Sequence, residues 1–370
     1  MNNKPVIIHS LTSLRIFAAL FVFLSHLGIL AQSTIPSFND AARYFINGYV
    51  GVTFFFILSG FIINYSFSRH RESGRFSKPD FIVYRLARLL PVHIVSLFCV
   101  LYLFGYTSNF EATNKEVLLY NSLLMHSFIP DTAYYFSFNA VSWSISCEMF
   151  FYICFCLLVR FKTIALALIV LAIQAANLYL INNPPPDISL HWLYYINPFF
   201  RISDFILGII ICRAFLATPF TPKRGVCSAM EFGSLLFLAL TIYFATKHTT
   251  NPNYTYDIMF IPCMASIVIA FAFNGGVISK ILANKYLILL GEASFSFYMF
   301  HWLIVSKMIE VMNPERDSVF SIIVYIITCL LLSIFVSILS FKFIEMPANR
   351  AIRTAWVKLK NRFIPSASGI

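Results

Sequence analysis

Apolar residues gather along this chain in long unbroken runs, separated by short polar connectors rich in Lys, Arg, Asn and Pro. Ten of the runs are long enough to cross a bilayer as helices, near residues 10–30, 47–67, 84–106, 142–160, 163–181, 195–215, 229–246, 256–273, 287–306 and 319–342. One apolar stretch does not fit that count. Val117 to Pro130 (VLLYNSLLMHSFIP) is short and contains Asn121 and His126. As a span it would turn every later basic loop outward, so it is expected to be an interfacial or re-entrant helix inside a long outer loop, residues 107–141. The Pro-rich NNPPPD at 182–187 is a second outer loop. The pattern predicts an all-α, polytopic membrane helix bundle of about ten transmembrane helices, with residues 1–345 as the membrane domain and 346–370 as a short basic cytoplasmic tail.

Charge orients the bundle. All but six of the 27 Lys and Arg, among them Lys4, Arg71 and Arg75, fall in loops on one side, which the positive-inside rule makes cytoplasmic together with both termini. The six are Arg43, Lys115, Arg201, Lys247, Lys307 and Arg316. Composition agrees: 59% hydrophobic and only 12% charged residues leave too little polar surface for a water-soluble domain. The net charge of +11 is dispersed over short loops, which argues against nucleic acid and suits anionic lipid. None of the eight cysteines has zinc-ligand or CxxC spacing, and all but Cys227 lie inside apolar runs, so they read as packing residues with no metal site. The first run has leader-like flanks but carries Arg15 and His26, of no use to a cleaved peptide, and is expected to be a retained span.

Ionisable residues inside spans mark function or an internal partner. Arg15 and His26 are eleven residues apart, hence on nearly the same helix face and about 16 Å apart in depth. A plain structural reading also exists, with Arg15 snorkelling to the cytoplasmic headgroups and His26 bonding a neighbouring helix. Counting from the outer ends of their spans places His26, Glu148, His301, Arg201 and Asp204 within about 14 Å of the outer surface. Groups from four helices at one depth suggest a shared cavity, although Arg201 and Asp204, at i and i+3, are expected to neutralise each other. The inner half holds Arg15, Arg85 and Arg88, whose guanidinium forks suit phosphate, with Glu292 as a candidate counter-charge and Pro91 expected to free a backbone carbonyl and kink the helix. A basic cluster inside and a His/Glu cluster outside suggest a phosphorylated donor extending a thin arm to His26.

These residues resemble the acyltransferase-3 family of polytopic membrane acyltransferases over most of the chain. The resemblance rests on the Arg15 and His26 pair, on YVGVTFFFILSGFII at 49–63, on YRLARLLP at 84–91 with Arg85 and Arg88, on SWSISCEMFFY at 142–152 with Ser142, Trp143 and Glu148, on SFSFYMFHW at 294–302 with His301, and on FIEMPANR at 343–350. It departs from the family pattern at Thr12-Ser13, where Asp-Gly is frequent, at Met149, where a second acid often follows the glutamate, and at Leu303, where Pro is frequent. With only about two dozen residues after the last span, no appended hydrolase-like domain is expected.

The resemblance implies transfer of an acyl group, most often acetyl, from acyl-CoA as a co-substrate to a hydroxyl of a cell-surface polysaccharide or lipid-linked glycan, with no tightly bound cofactor. It assigns His26 as the essential histidine, either a general base or a covalent acyl carrier, and Glu148 as a partner of the acceptor or of the imidazolium. Arg85 and Arg88 would hold the CoA phosphates and Arg15 would continue their path. Ser142, Trp143, His301 and Arg201 are acceptor-side or structural polar residues. A bacterial inner membrane is the implied setting, and a homo-oligomer is possible. The rival reading is a secondary transporter or flippase of a glycan or small anionic solute, which would also need charges within the membrane; paired broken helices, its usual mark, are not visible in the sequence. Cys147 is a poor nucleophile because apolar burial keeps a thiol protonated, and Tyr134 and Tyr135 are outer-loop candidates for stacking on sugars.

Overall fold

In the computed structural model the described residues are 7–72, 77–105, 115–219 and 222–363, and every regular element among them is helical. Lys4, Arg75 and the side chain of Arg71 lie outside what is described, as do residues 364–370 of the expected tail and part of the long outer loop. The helices are α1 (His9–Ser25), α2 (Gly28–Gln32), α3 (Pro36–Phe45), α4 (Gly51–Glu72), α5 (Lys78–Leu103), α6 (Lys115–Ser122), α7 (Thr132–Tyr135), α8 (Trp143–Leu158), α9 (Thr163–Asn182), α10 (Pro198–Ala217), α11 (Arg224–Lys247), α12 (Ile261–Ala272), α13 (Val277–Leu282), α14 (Lys285–Glu292), α15 (Ser294–Met312), α16 (Val319–Ser340) and α17 (Met346–Phe363). Among the described residues eight continuous helical stretches are long and apolar enough to cross a membrane, and α14 with α15 makes a ninth. The remaining expected span is α10, apolar throughout except for Arg201, Asp204 and Arg213.

The bundle is apolar on its outside as well as inside. Leu168, Leu171, Leu236, Phe335 and their neighbours on α9, α11 and α16 are exposed, as expected of surfaces facing hydrocarbon. With lipid as solvent, helices are held together by close packing and internal hydrogen bonds instead of by exclusion of water. α4 and α10 make the tightest crossing: a β-carbon on Gly60 would strike the backbone of Phe205, and one on Gly208 would strike the backbone of Ile57. Polar anchors supply the rest. Ser10 and Ser13 on α1 donate to Phe271 O (2.7 Å) and Leu282 O (2.6 Å). The fully buried Glu231 on α11 accepts from the amides of Gly276, Ile278 and Ser279 and from the Ser279 hydroxyl, so its charge closes the N-terminal end of α13.

Segments assigned to one side of the membrane by charge do meet. At the outer end Ser33 bonds Arg316 O, Asn47 bonds Thr246 and Tyr254 bonds Asn182. At the inner end Arg213 bonds Phe161 O, and Asp80 accepts from Lys360 and Trp356.

Several expectations need correction. The ninth span is not straight: α14 and α15 meet at Ala293 with a bend of 64°. Gly291 lets α14 lie directly on the backbone of Thr12, while α15 turns into the core. Val117 to Pro130 is not one helix. It forms α6, an irregular turn and a short 3-10 turn at His126–Phe128, and it dips inward, burying Asn121 and His126 completely. His93 on α5 bonds Asn121 O (3.0 Å), and Ser127 O accepts from the Trp192 indole (2.9 Å). Pro91 lies inside α5, which runs continuously through it. The described part of the tail is helical: a π-turn at Phe341–Glu345 joins α16 to α17, which docks on α5 through Asp80 and lays Arg353 over the Tyr84 ring.

Candidate active site

α1 ends where its chemistry begins. His26 is its C-cap, and the chain turns there before α2. The His26 Nδ1 lies 2.9 Å from Val22 O and 3.2 Å from Nε2 of His301 on α15. His301 is completely buried, and its own Nδ1 lies 2.7 Å from Tyr298 O. Carbonyl oxygens only accept, so both Nδ1 atoms must carry the proton. One shared N–H of His26 then serves Val22 O and the lone pair of His301 Nε2. This leaves Nε2 of His26 as a free lone pair without a protein partner among the described residues, on a ring that is only partly buried. The ring is held in place by Phe23, Phe297 and Tyr298 through their contacts with His301.

The inner arginines converge on one cavity. Arg15, Arg85 and Arg88 line it together with Ser59 of α4, and Glu148 and Tyr152 of α8. Among the described residues none of the three guanidinium groups forms an ion pair. Arg85 rests against the rings of Phe81 and Tyr152 (5.4 and 5.8 Å to the centroids), and Glu148 accepts from the Tyr152 hydroxyl at 3.1 Å. About 100 Å³ of open room is well below the ~300 Å³ of a small-ligand site, so this is a channel for a narrow group and not for a nucleotide. Arg85 and Arg88 also line a second, roomier cavity of about 480 Å³, bordered by Asp80, Tyr84, Asn349 and Arg353. The outer side of the narrower cavity is closed by Tyr298, whose hydroxyl bonds Ser144 (2.9 Å) and Val141 O (3.1 Å) and whose ring lies 5.8 Å from that of His301. The two cavities thus share Arg85 and Arg88, and the narrower one ends within one side chain of the histidine pair.

The predicted outer layer separates into three places. His26 and His301 do form a pair. Glu148 does not join them: it lines the arginine cavity, so the expected depth match with His26 fails. Depth was counted from the loop end of the span, and the residues that lead into α8, Asn139, Val141 and Ser142, are already buried there together with Trp143. Arg201 belongs to neither group. It is fully buried, pairs with Asp204 (3.2 Å) as expected and also with Asp257, and donates to Thr53 (3.0 Å), which in turn donates to Asp257 (2.7 Å). These four residues tie α4, α10 and the segment before α12, a structural role for Arg201. Ser142 bonds His126 (3.1 Å), and Trp143 packs edge-on against Phe56 and Tyr195. Glu292 is exposed and forms no ion pair with an arginine among the described residues. The carboxylate that does face them besides Glu148 is Glu345, buried in the π-turn, bonded to Ser296 (3.0 Å) and within the field of Arg15 and Arg88. Its signal in the sequence was the FIEMPANR motif, read there only as a resemblance. Tyr298 and Tyr152 likewise sat inside quoted motifs without a role.

Comparison with known proteins bears on the family. The chain is 27% identical over 339 residues to "Acyltransferase MdmB" of Streptomyces mycarofaciens, covering 85% of this chain and 83% of that protein. It is 26% identical to a putative O-acetyltransferase of Staphylococcus aureus strain COL and 25% identical to the O-acetyltransferase OatA of Staphylococcus aureus strain NCTC 8325, in each case covering 94% of this chain. The chain spans only 58% of the length of those two staphylococcal proteins. No solved structure matches. A family model described as an acyltransferase domain matches residues 8–341, and the chain therefore belongs to the acyltransferase-3 family.

Proposed function

We propose that the chain moves an acyl group, in the simplest case acetyl, from a cytoplasmic acyl-CoA to a hydroxyl of a cell-surface polysaccharide or lipid-linked glycan at the outer side of a bacterial inner membrane. The observation that carries this reading is the pairing of three guanidinium groups without ion-pair partners among the described residues, which line a narrow cavity, with a free imidazole lone pair beyond the Tyr298 that closes it. The arginines match the phosphates of the donor, which stay at the inner mouth. The 16 Å or so from Arg15 to His26 is then covered by the donor's thin arm, thioester foremost.

At the outer end the acceptor hydroxyl gives its proton to Nε2 of His26 as its oxygen attacks the thioester carbonyl. The new C–O bond forms, the C–S bond breaks, and the imidazolium returns the proton to the departing sulfur as a thiol. His301 positions His26 by accepting from its Nδ1–H, and Glu148 with Glu345 balances the arginines when the donor is absent. In the covalent alternative the same Nε2 attacks the thioester first and hands the acyl group on.

The test is acyl transfer from radiolabelled acetyl-CoA in membranes holding the wild-type chain or His26→Ala, with label followed into protein and glycan. Label in glycan for wild type and none for the variant is expected. Label held on the protein would show the covalent route, and equal labelling by both chains would overturn the role of His26.

A further inference from the structure

Outside this channel, four separate outer segments bring aromatic side chains to one place. Tyr49 comes from the turn before α4, Phe136 from the end of α7, His191 and Tyr195 from the π-turn before α10, and Tyr256 from the 3-10 turn before α12. His191 is at their centre, with ring centroids 5.4 Å from Phe136, 5.3 Å from Tyr195 and 5.2 Å from Tyr256. Tyr49 closes the rim at 5.2 Å from Tyr195. Rings of an interfacial belt anchor singly at the headgroups, whereas these rings pack on one another.

The polar atoms divide into two sets. The Tyr195 hydroxyl donates to Tyr49 O (2.8 Å) and the Tyr49 hydroxyl to Thr255 (3.1 Å), which fixes the rim. By contrast, neither nitrogen of His191 nor the Tyr256 hydroxyl has a hydrogen-bond partner among the described residues, and both side chains are partly exposed. Burial pushes His191 down to about 4, so at neutral pH its ring offers one donor and one acceptor without charge. The guanidinium of Arg201 already lies on the Tyr195 ring (5.6 Å), taking a face that a cationic ligand would need.

The bowl adjoins the reaction centre. Gly48, next to Tyr49, sits against Phe21 O and the side chain of Ser25, the residue before His26. On the other side Tyr195 packs 4.7 Å from Trp143, whose neighbour Ser144 bonds the Tyr298 that closes the channel. Apolar ring faces with a few uncharged polar atoms match a pyranose, which presents C–H bonds on its face and hydroxyls at its edge.

We propose that this bowl is a saccharide subsite, in which His191 and Tyr256 hold one sugar ring of the acceptor while a neighbouring hydroxyl meets His26. This rests on the acyltransferase reading above. In the test, the full chain in detergent is titrated, without donor, with cello-, malto-, chito- and mannotetraose, using saturation-transfer NMR and the fluorescence of Trp143. At least one tetrasaccharide is expected to bind the wild type. His191→Ala with Tyr256→Ala should weaken that binding about ten-fold, from two lost ring contacts and their hydrogen bonds. Acetyl-CoA binding by the same preparations should stay unchanged, which certifies the fold, and His191→Phe should lose specificity among the sugars while keeping part of the affinity. Equal affinity in wild type and double variant, or no binding by any of the four sugars, overturns the subsite. A wild type that binds sugar through these residues yet transfers no acetyl to any acceptor sinks the acyltransferase reading and leaves the subsite standing.

Discussion

His26 and His301 are close enough for either to be the base, and the size of the defect on replacing each decides between them. His301→Phe removes one of the two acceptors that share the Nδ1–H of His26, the 3.2 Å contact, but leaves the 2.9 Å bond to Val22 O in place. The tautomer of His26 therefore survives. The loss is one neutral hydrogen bond and some orientation of the ring, about 1–2 kcal/mol, or roughly five- to thirty-fold in kcat. His26→Ala removes the base itself and should cost on the order of 10²–10⁴-fold. Phe at 301 retains a ring that can lie parallel to Phe297, as the imidazole does, so the site should stay packed. The assay is the initial rate of acetyl transfer in membranes at saturating acetyl-CoA, with chain abundance measured in parallel. A His301→Phe defect as deep as that of His26→Ala would refute the tautomer argument and make the buried histidine the base.

Three other outcomes are expected. Arg88→Gln should raise KM for acetyl-CoA roughly ten- to hundred-fold, the worth of a charge-assisted hydrogen bond of about 1.5–3 kcal/mol, with a smaller change in kcat; a KM within a factor of about two of wild type would remove the arginine from the donor path. Arg201→Met strands two buried carboxylates and should destabilise the chain by about 3–5 kcal/mol in detergent unfolding, with Asp204→Asn and Asp257→Asn added on top restoring much of it; wild-type stability of the single variant would contradict the cluster. In the outer segments, burial holds His191 down at about 4 and, with the neighbouring His93, His126 at about 3, whereas unfolded imidazole titrates near 6.5. The native state thus binds fewer protons, so stability is full above about pH 6.5 and falls as pH drops toward 4, and His191→Phe should flatten part of that slope in unfolding measured against pH.

Much of this was legible in the residues. Run lengths gave the spans, Lys and Arg gave their direction, and the eleven-residue offset between Arg15 and His26 put a cation and an imidazole on one face of α1. Depth also put His26 and His301 at one level, though among five residues and without pairing those two. Depth failed for Glu148, because counting residues from a loop assumes that the loop end lies at the membrane surface, and the residues entering α8, Asn139, Val141 and Ser142, are already buried. Glu345 was passed over for a related reason. It lies past the last apolar run, where a linear reading expects cytoplasm, and only the π-turn at Phe341–Glu345 swings it back toward the arginines. Asp257 stands at the edge of a polar loop, and nothing local marks it as the second counter-charge of Arg201. These misses share a cause: each depends on backbone leaving the regular helix.

The glycine crossing of α4 and α10 has a mechanical consequence. At Gly60 and Gly208 backbone meets backbone, so no side chain is available to change rotamer and let the two helices slide. They behave as a single strut. α4 carries Ser59 in the wall of the inner cavity, and α10 begins directly after the π-turn that bears Tyr195 and carries Arg201 against it. The inner cavity and the outer aromatic rim are thus bolted to one rigid member, which works as a ruler for the gap between them. Any opening and closing must come from parts not fastened to the strut. The bent pair α14 and α15, which carries His301, stands outside the strut and is fastened elsewhere, with Gly291 of α14 against the backbone of Thr12 on α1.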